Sequence, residues 1–402
     1  MQILVLGGAG AQAAYAVEKI IADDLFDEII IADYNKQAAD AYVAKLANPK
    51  VRAEQVDVLD RERLTAMMDD AFVVANCTGP YYKLLIPVID ALMDSTCKNY
   101  VDLCDDIEVF DAVMTPERQA VAKERGMRVI VGLGGSPGLI PVEMMYGNSL
   151  MDEAHTITLN MLMDELNEGG PAVWDHMLEN FAGTINVWKD GGPATEKGLE
   201  VVGEYDFDPD VFPGVGKVKV YTLGHPEVYT LPKVLPKLKE IDIKTTYYPL
   251  KVQDMIVDLD RLGMLKTDPI KVGDVEVSPR AVLIEAMMAN IFNNPEVTGG
   301  WDESYRDQDN LISGAAMEVI GTKDGKPVTY KSGFTTKMGP VTGYPLAVGA
   351  AMLARDEIEN VGIMIPEQAI TRSEEFVEEV FTSIRAAGHP LRRKAEVVYN
   401  LF

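Results

Sequence analysis

Gly7, Gly8 and Gly10 follow the apolar run Ile3-Leu4-Val5-Leu6 and stand just before Ala13. Glycines at this spacing let backbone amides approach a ligand, and an alanine lets a helix lie close against the preceding strand. Ala13, Ala14, Ala16, Val17, Ile20 and Ile21 recur at helical spacing. Strand, Gly8-x-Gly10-x-x-Ala13, helix is the dinucleotide fingerprint with alanine in its last place. On this pattern Gly8 makes the tight turn and Gly10 leaves space for a pyrophosphate. Ala11, Gln12 and Ala13 then offer the amides of a helix N-terminus, where the dipole favours an anion.

A second apolar run, Glu28-Ile29-Ile30-Ile31-Ala32-Asp33, ends in an acid followed by Tyr34. It lies about 20 residues past the glycines, where a ribose-binding carboxylate belongs. Asp33 accepts from ribose hydroxyls and repels a 2′-phosphate, so the pattern predicts NAD over NADP, with Lys36 able to offset part of the repulsion. Asp57 and Val58 end a third strand, either at the adenine side or as a strand-end cap. Thr78-Gly79-Pro80-Tyr81 follows a fourth, either at the nicotinamide side or as an ordinary turn.

These residues need a scaffold, and the sequence supplies a regular one. Strands are predicted at 2–7, 28–33, 52–57, 71–76, 99–103 and 127–132, with helical patterns between most of them. The fold class is α/β: an N-terminal Rossmann domain with a doubly wound parallel sheet, over 1–135. The rhythm breaks at Gly134-Gly135-Ser136-Pro137-Gly138, and 136–342 reads as a second, α+β domain. Strands are expected at Thr156–Met163 and Val218–Thr222, helices near Trp174–Phe181 and Pro279–Asn290, and a hairpin over Met317–Tyr330. A helix over Pro345–Ala354 opens a C-terminal segment, 343–402, expected to return to the cofactor domain and close its cleft.

The chain has 402 residues, 47% of them hydrophobic, and a formal net charge of −26. That charge argues against nucleic acid and anionic membranes as partners. No apolar run has membrane-spanning length, and the N-terminus carries no basic leader, so neither a membrane span nor a signal peptide is expected. Three cysteines (Cys77, Cys97, Cys104) without metal spacing suit a reducing cytoplasm. The four histidines are scattered, so no metal site is expected.

Four further segments carry a resemblance: Cys77-Thr78-Gly79-Pro80-Tyr81, Tyr100-Val101-Asp102-Leu103, Gly135-Ser136-Pro137-Gly138-Leu139, and Thr342-Gly343-Tyr344-Pro345-Leu346-Ala347 with Gly362-Ile363-Met364-Ile365-Pro366-Glu367. Asn186-Val187-Trp188-Lys189-Asp190-Gly191 and Tyr221-Thr222-Leu223-Gly224-His225-Pro226-Glu227 add to it. In this order the chain resembles the saccharopine dehydrogenase family, in the branch with saccharopine reductase, carboxynorspermidine synthase and lysine 6-dehydrogenase. The resemblance implies NAD(P)-dependent interconversion of an amine and an imine on an amino-acid substrate of lysine or saccharopine type. It also implies a homodimer built through the second domain. Ser136 stands where the family often carries Asp, which leaves the exact substrate open.

Such chemistry needs a base to take an ammonium proton and to activate water on the imine. His225, in a Gly-His-Pro-Glu turn, is the candidate base, with a structural role as the alternative. Asp102 is the candidate partner of a substrate ammonium; it could equally cap the helix expected over Asp105–Met114. Lys233, Tyr247 and Tyr248 could bind a carboxylate or carry a proton.

Competing chemistries leave weaker marks. A short-chain-dehydrogenase Tyr-x-x-x-Lys pair occurs at Tyr15–Lys19, on the phosphate helix, and at Tyr229–Lys233 and Tyr247–Lys251. Each of the latter two contains a proline, which disfavours a helix. A nucleophilic cysteine opening the second domain is missing. A non-catalytic dinucleotide-sensing regulator would keep the glycine loop without a substrate domain of this size.

Overall fold

The structure, a computed structural model, describes residues 1–163, 171–248, 250–289 and 313–399. Ile3 to Leu6 are wholly buried, as a strand covered on both faces requires. They belong to β1 (Gln2–Leu6), which leads through the glycine loop into α1 (Ala11–Asp23). The rhythm repeats as β2 (Glu28–Asp33), α2 (Lys36–Leu46), β3 (Val51–Gln55), α3 (Arg61–Asp69), β4 (Val73–Asn76) and α4 (Tyr81–Asp94). Next come β5 (Asn99–Asp102), α5 (Ile107–Val113), α6 (Pro116–Glu124), β6 (Arg128–Ile130) and α7 (Leu139–Ser149).

The middle of the chain carries β7 (Glu153–Met163), α8 (Pro171–Phe181), β8 (Thr184–Lys189), β9 (Gly192–Lys197), β10 (Val201–Asp206), β11 (Lys217–Thr222) and α9 (Glu227–Val234). It continues through β12 (Glu240–Tyr247), α10 (Leu250–Arg261), β13 (Ile270–Val272), β14 (Val275–Val277), α11 (Pro279–Met287), β15 (Ser313–Lys323) and β16 (Lys326–Thr336). Then follow α12 (Met338–Ala354), β17 (Gly362–Met364), α13 (Pro366–Ala369), α14 (Ser373–Ala386) and β18 (Arg392–Tyr399).

These elements divide into two compact units. The first holds Met1–Tyr146, Tyr229–Val234 and Gly339–His389. Its sheet runs β17-β6-β5-β4-β1-β2-β3 with every pair parallel. The strand order reverses between β1 and β4, and ligands of such sheets bind outside the carboxyl ends at that reversal. Six of the seven strands are those the sequence predicts, with ends within two residues. The seventh, β17, spans three residues and is too short to show a period.

α12 is longer than its sequence suggests. It starts at Met338 and runs through Pro340 and Pro345, buried on all sides. Packing overrides the local cost of proline here. A Cβ at Gly343 would stand 2.7 Å from Ala16 N and 2.8 Å from Gln12 O, so α12 crosses α1 backbone to backbone. The C-terminal segment thus braces the helix that follows the glycine loop.

The second unit holds Gly147–Val228, Leu235–Met338 and Pro390–Phe402. Its nine-stranded sheet runs β10-β11-β12-β7-β15-β16-β18, with β8 joined to β12 and β9 to β8. β7 and β12 pair in parallel and the other pairs are antiparallel. β13 and β14 make a separate ribbon. α11 ends at Met287, and Asn290, where the sequence reading ended that helix, lies outside the described residues.

One expectation is overturned. Pro232 does not keep Tyr229–Lys233 from being helical, because both lie on α9. Thr230 and Leu231 of that turn are fully buried, and their packing outweighs the single lost backbone bond. Tyr247 ends β12 and Lys251 lies on α10, so that pair shares no helix.

Candidate functional site

The glycine loop is stitched to its neighbours by backbone bonds from Gly7 N to Ala32 O and from Cys77 N to Leu6 O, each 2.8 Å. Gly7 has φ +67°, and a Cβ there would stand 2.9 Å from Cys77 O. The tight turn therefore falls at Gly7, one residue before the position the fingerprint assigns. Gly10 is the N-cap of α1 and supplies no side-chain cap, and the first turn carries no acid. The leading amides of a helix have no acceptor within it, so those of Ala11, Gln12 and Ala13 are left to an incoming anion. Gln12 Oε1 is buried without a protein donor, which a ligand hydroxyl would satisfy. Loop and helix end fit a dinucleotide.

Asp33 ends β2 beside this loop. Its Oδ2 accepts from Ala9 N at 3.3 Å and its Oδ1 from Asn35 N at 2.9 Å. Tyr34 is 73% exposed, a flat ring on the rim. Lys36 is engaged by Asp40 one turn along α2. Asp57 and Val58 lie past the end of β3. Asp57 Oδ1 accepts from Leu59 N at 2.9 Å, closing a turn, and Val58 is buried in the core. That is the strand-end arrangement.

At the carboxyl ends of β4 and β5 lies a buried polar chain. Thr78 N and Oγ1 donate to Asn76 Oδ1 at 3.0 and 2.5 Å, and Asn76 Nδ2 donates to Tyr100 OH at 2.9 Å. Tyr100 OH donates to Asp102 Oδ2 at 2.9 Å, while Asp102 Oδ1 accepts from Cys104 N at 3.0 Å and Gly132 N at 2.7 Å. Tyr81 OH donates to the Asn76 carbonyl at 3.3 Å. Asn76, Tyr100 and Asp102 have no exposed surface. Burial raises Asp102 to about 7 against the pull of its three donors.

Asp102 thus differs from both of its sequence expectations. Its carboxylate turns into backbone amides, which removes it from a substrate ammonium, and α5 is preceded by Asp106 at its N-cap. Strand alternation could not reveal this, because the donors its carboxylate meets come from the loops after β5 and β6. The thiols are equally withdrawn: burial raises Cys77 to about 12 and Cys97 to about 11, with Cys104 well above its ordinary value.

Lys233 belongs to the first unit with the rest of Tyr229–Val234. Its ammonium stands 3.6 Å from the Tyr229 ring centroid and 3.6 Å from Asp111, and burial lowers its pKa. Tyr229 OH donates to Asp111. Sequence reasoning missed Asp111 and Glu367 as neighbours of this lysine, since they come from two distant segments, while the Tyr229–Lys233 spacing was visible.

In the second unit, His225 is nearly buried and its Nδ1 pairs with the fully buried Glu227 Oε2. A carboxylate on Nδ1 fixes the orientation of the ring. Glu227 was not singled out by the sequence, although its place two residues on in the Gly-His-Pro-Glu turn was a visible signal. Tyr247 is 1% exposed, with its ring 5.8 Å from Trp174 and 5.6 Å from Phe181, so it is a core residue. Tyr248 is half-buried and its backbone N donates to Met163 O at 3.0 Å. Among the described residues no group of three His, Cys, Asp or Glu converges as a metal site would need, and no helix is long and apolar enough to cross a membrane.

A parallel sheet with an uncapped helix N-terminus beside an acid, joined in one chain to an α+β unit on a mixed sheet, marks a dinucleotide-binding protein of two units. The saccharopine dehydrogenase NADP binding domain matches residues 3–128, and the saccharopine dehydrogenase C-terminal domain matches residues 172–388. The chain belongs to the saccharopine dehydrogenase family, and with it to the NAD(P)-dependent oxidoreductases of amine substrates.

Two relatives span nearly its whole length. The carboxyaminopropylagmatine dehydrogenase of Synechocystis sp. is 22% identical over 391 residues, 92% of this chain and 93% of that protein. The carboxynorspermidine synthase of Vibrio cholerae is 24% identical over 413 residues, 92% of each. Apo saccharopine dehydrogenase (L-Glu forming) from Saccharomyces cerevisiae shares the fold, with TM-score 0.63 and 16% identity over 98% of this chain and 99% of that one.

Proposed function

We propose that the protein interconverts an imine and a carboxylate-bearing amine, of the lysine or saccharopine type or of the carboxylated amines for which two relatives are named. One observation carries the acid–base part: the buried His225–Glu227 pair in the substrate unit. Glu227 holds the imidazole, which takes the proton of the substrate ammonium and returns it in the reverse direction. Lys233 binds the substrate carboxylate, with Asp111 and Tyr229 fixing its ammonium. Tyr248 lines the site and Tyr247 supports it from the core. The net charge of −26 favours the approach of a cationic amine.

Gly8, Gly10, Ala11, Gln12 and Ala13 hold the pyrophosphate of the cofactor. Asp33 and Tyr34 hold its adenosine half, backed by the turn at Asp57 and Val58, and Thr78, Gly79, Pro80 and Tyr81 form its nicotinamide rim. When bound, the nicotinamide gives or takes the hydride at the carbon that carries nitrogen. Asp33 selects NAD, since its carboxylate opposes a 2′-phosphate and Lys36 is held by Asp40. The reading extends to a homodimer in a reducing cytoplasm, for which the three free thiols speak. Light scattering on the purified chain tests the dimer.

The test of function is absorbance at the reduced nicotinamide band with lysine, saccharopine and mixtures of a diamine with a semialdehyde. Turnover is expected with a carboxylate-bearing amine or its imine-forming pair. Tight dinucleotide binding with no turnover on any of them would replace this reading with a dinucleotide-sensing regulator.

A further inference from the structure

The polar chain from Asp102 to Thr78 crosses the first unit's sheet from β5 to the rim past β4, and every member has one direction open to it. At one end Thr78 N–H can only donate, so Asn76 must turn its oxygen to it and its amino group toward Tyr100. Tyr100 then accepts from Asn76 and has one hydrogen left, which goes to Asp102 Oδ2. At the other end Cys104 N–H and Gly132 N–H can also only donate, and both go to Asp102 Oδ1. An ionised carboxylate, the form present above about pH 7, accepts at both oxygens and satisfies the row from end to end.

We propose that Asp102 is a positioning residue: through Tyr100 and Asn76 its carboxylate holds Thr78 in the single orientation that shapes the rim for the nicotinamide. This rests on the reading of Thr78–Tyr81 as that rim. Asp102 touches neither substrate nor cofactor. It acts because a buried donor without an acceptor is costly, and Asn76, Tyr100 and Asp102 have no exposed surface.

The logic predicts what an amide does in its place. In Asp102→Asn the oxygen must stay on the two backbone amides, so the amino group faces Tyr100. Tyr100 then receives two donors and its own hydrogen has no acceptor, unless Asn76 turns over. If Asn76 turns, its amino group meets Thr78 N–H, donor against donor. The mismatch cannot leave the row. Tyr100→Phe cuts the same row in the middle and leaves Asp102 Oδ1 on its two amides.

The experiment compares wild type, Asp102→Asn, Tyr100→Phe and the double variant in the full-length protein at about pH 8, above the pH near 7 where Asp102 gives up its proton. Two readouts are taken: the Thr78 amide resonance with its hydrogen-exchange rate, and kcat/KM for the dinucleotide. Each single variant should shift the Thr78 resonance and lower kcat/KM about tenfold, the size of one net hydrogen bond. The double variant should lose no more than either single one, because one row is being cut twice. Additive losses, or a Thr78 amide that stays unmoved, overturn the relay whatever happens to turnover. A Thr78 amide that moves while kcat/KM holds overturns instead the reading of this rim as the nicotinamide side. Should Asp102→Asn not fold, Tyr100→Phe alone still decides through the Thr78 amide.

Discussion

The backbone N–H of Ala9 donates to Asp33 Oδ2 at 3.3 Å, tying the glycine loop after β1 to the acid that ends β2. A second bond, from Asn35 N at 2.9 Å, holds the other oxygen. Asp33 is thus held at the edge of the loop before any cofactor arrives. A 2′-phosphate near it would meet a fixed negative charge. Asp33→Ser should therefore raise kcat/KM with NADP and lower it with NAD. Steady-state kinetics with both cofactors checks this, and a wild type that already prefers NADP would overturn the assignment.

Gly10 lies in extended backbone that any residue adopts, at φ −72° and ψ 158°. A Cβ there meets only Gly7 O, at 3.2 Å. Gly10→Val should fold as the wild type does yet lose NAD and NADP, since its methyl groups would stand where the pyrophosphate approaches. Circular dichroism and a calorimetric titration read the two halves of this prediction separately.

His225→Ala should lower kcat by about 10²–10⁴ with cofactor affinity unchanged, the usual loss on removing a positioned base. Glu227→Gln keeps the packing but removes the charge behind Nδ1, so it should lower kcat less and move the pH profile. A loss under about threefold in His225→Ala, small beside that range, would exclude His225 and turn attention to Lys233.

Asp102 gives a stability signature with a definite sign. Its carboxyl rises from the ordinary 3.8 to about 7 through burial, with Asp105 adding repulsion and Tyr100, Cys104 and Gly132 donating against it. Between those values the folded protein keeps a proton that the unfolded chain has released. The stabilisation is full below 3.8 and is lost as pH rises through about 7. Wild type should lose on the order of 4 kcal/mol relative to Asp102→Asn across that window, at about 1.36 kcal/mol per pH unit. Denaturant midpoints at pH 5 and pH 8 test it, and a constant difference between the two proteins would refute it.

The sequence by itself determined the parts that local physics writes locally. Buried runs such as Ile29-Ile30-Ile31 read as covered strands, and Gly10 before an apolar helical stripe reads as the start of a helix that can take an anion. With Asp33 at its spacing, this gave the first domain and its ligand class. The tertiary structure decided whatever depended on neighbours distant in the chain. Gly7 rather than Gly8 takes the turn because the Cys77 carbonyl stands beside it. Tyr229–Val234 belongs with the first unit although the sequence around it folds with the second. Pro232 is helical because Thr230 and Leu231, the two residues before it, are buried, and that burial is a property of the fold. Asp102 shows the limit most sharply. A strand pattern fixes which side of a sheet a residue occupies, but Gly132, 30 residues on, decides what its carboxylate can reach.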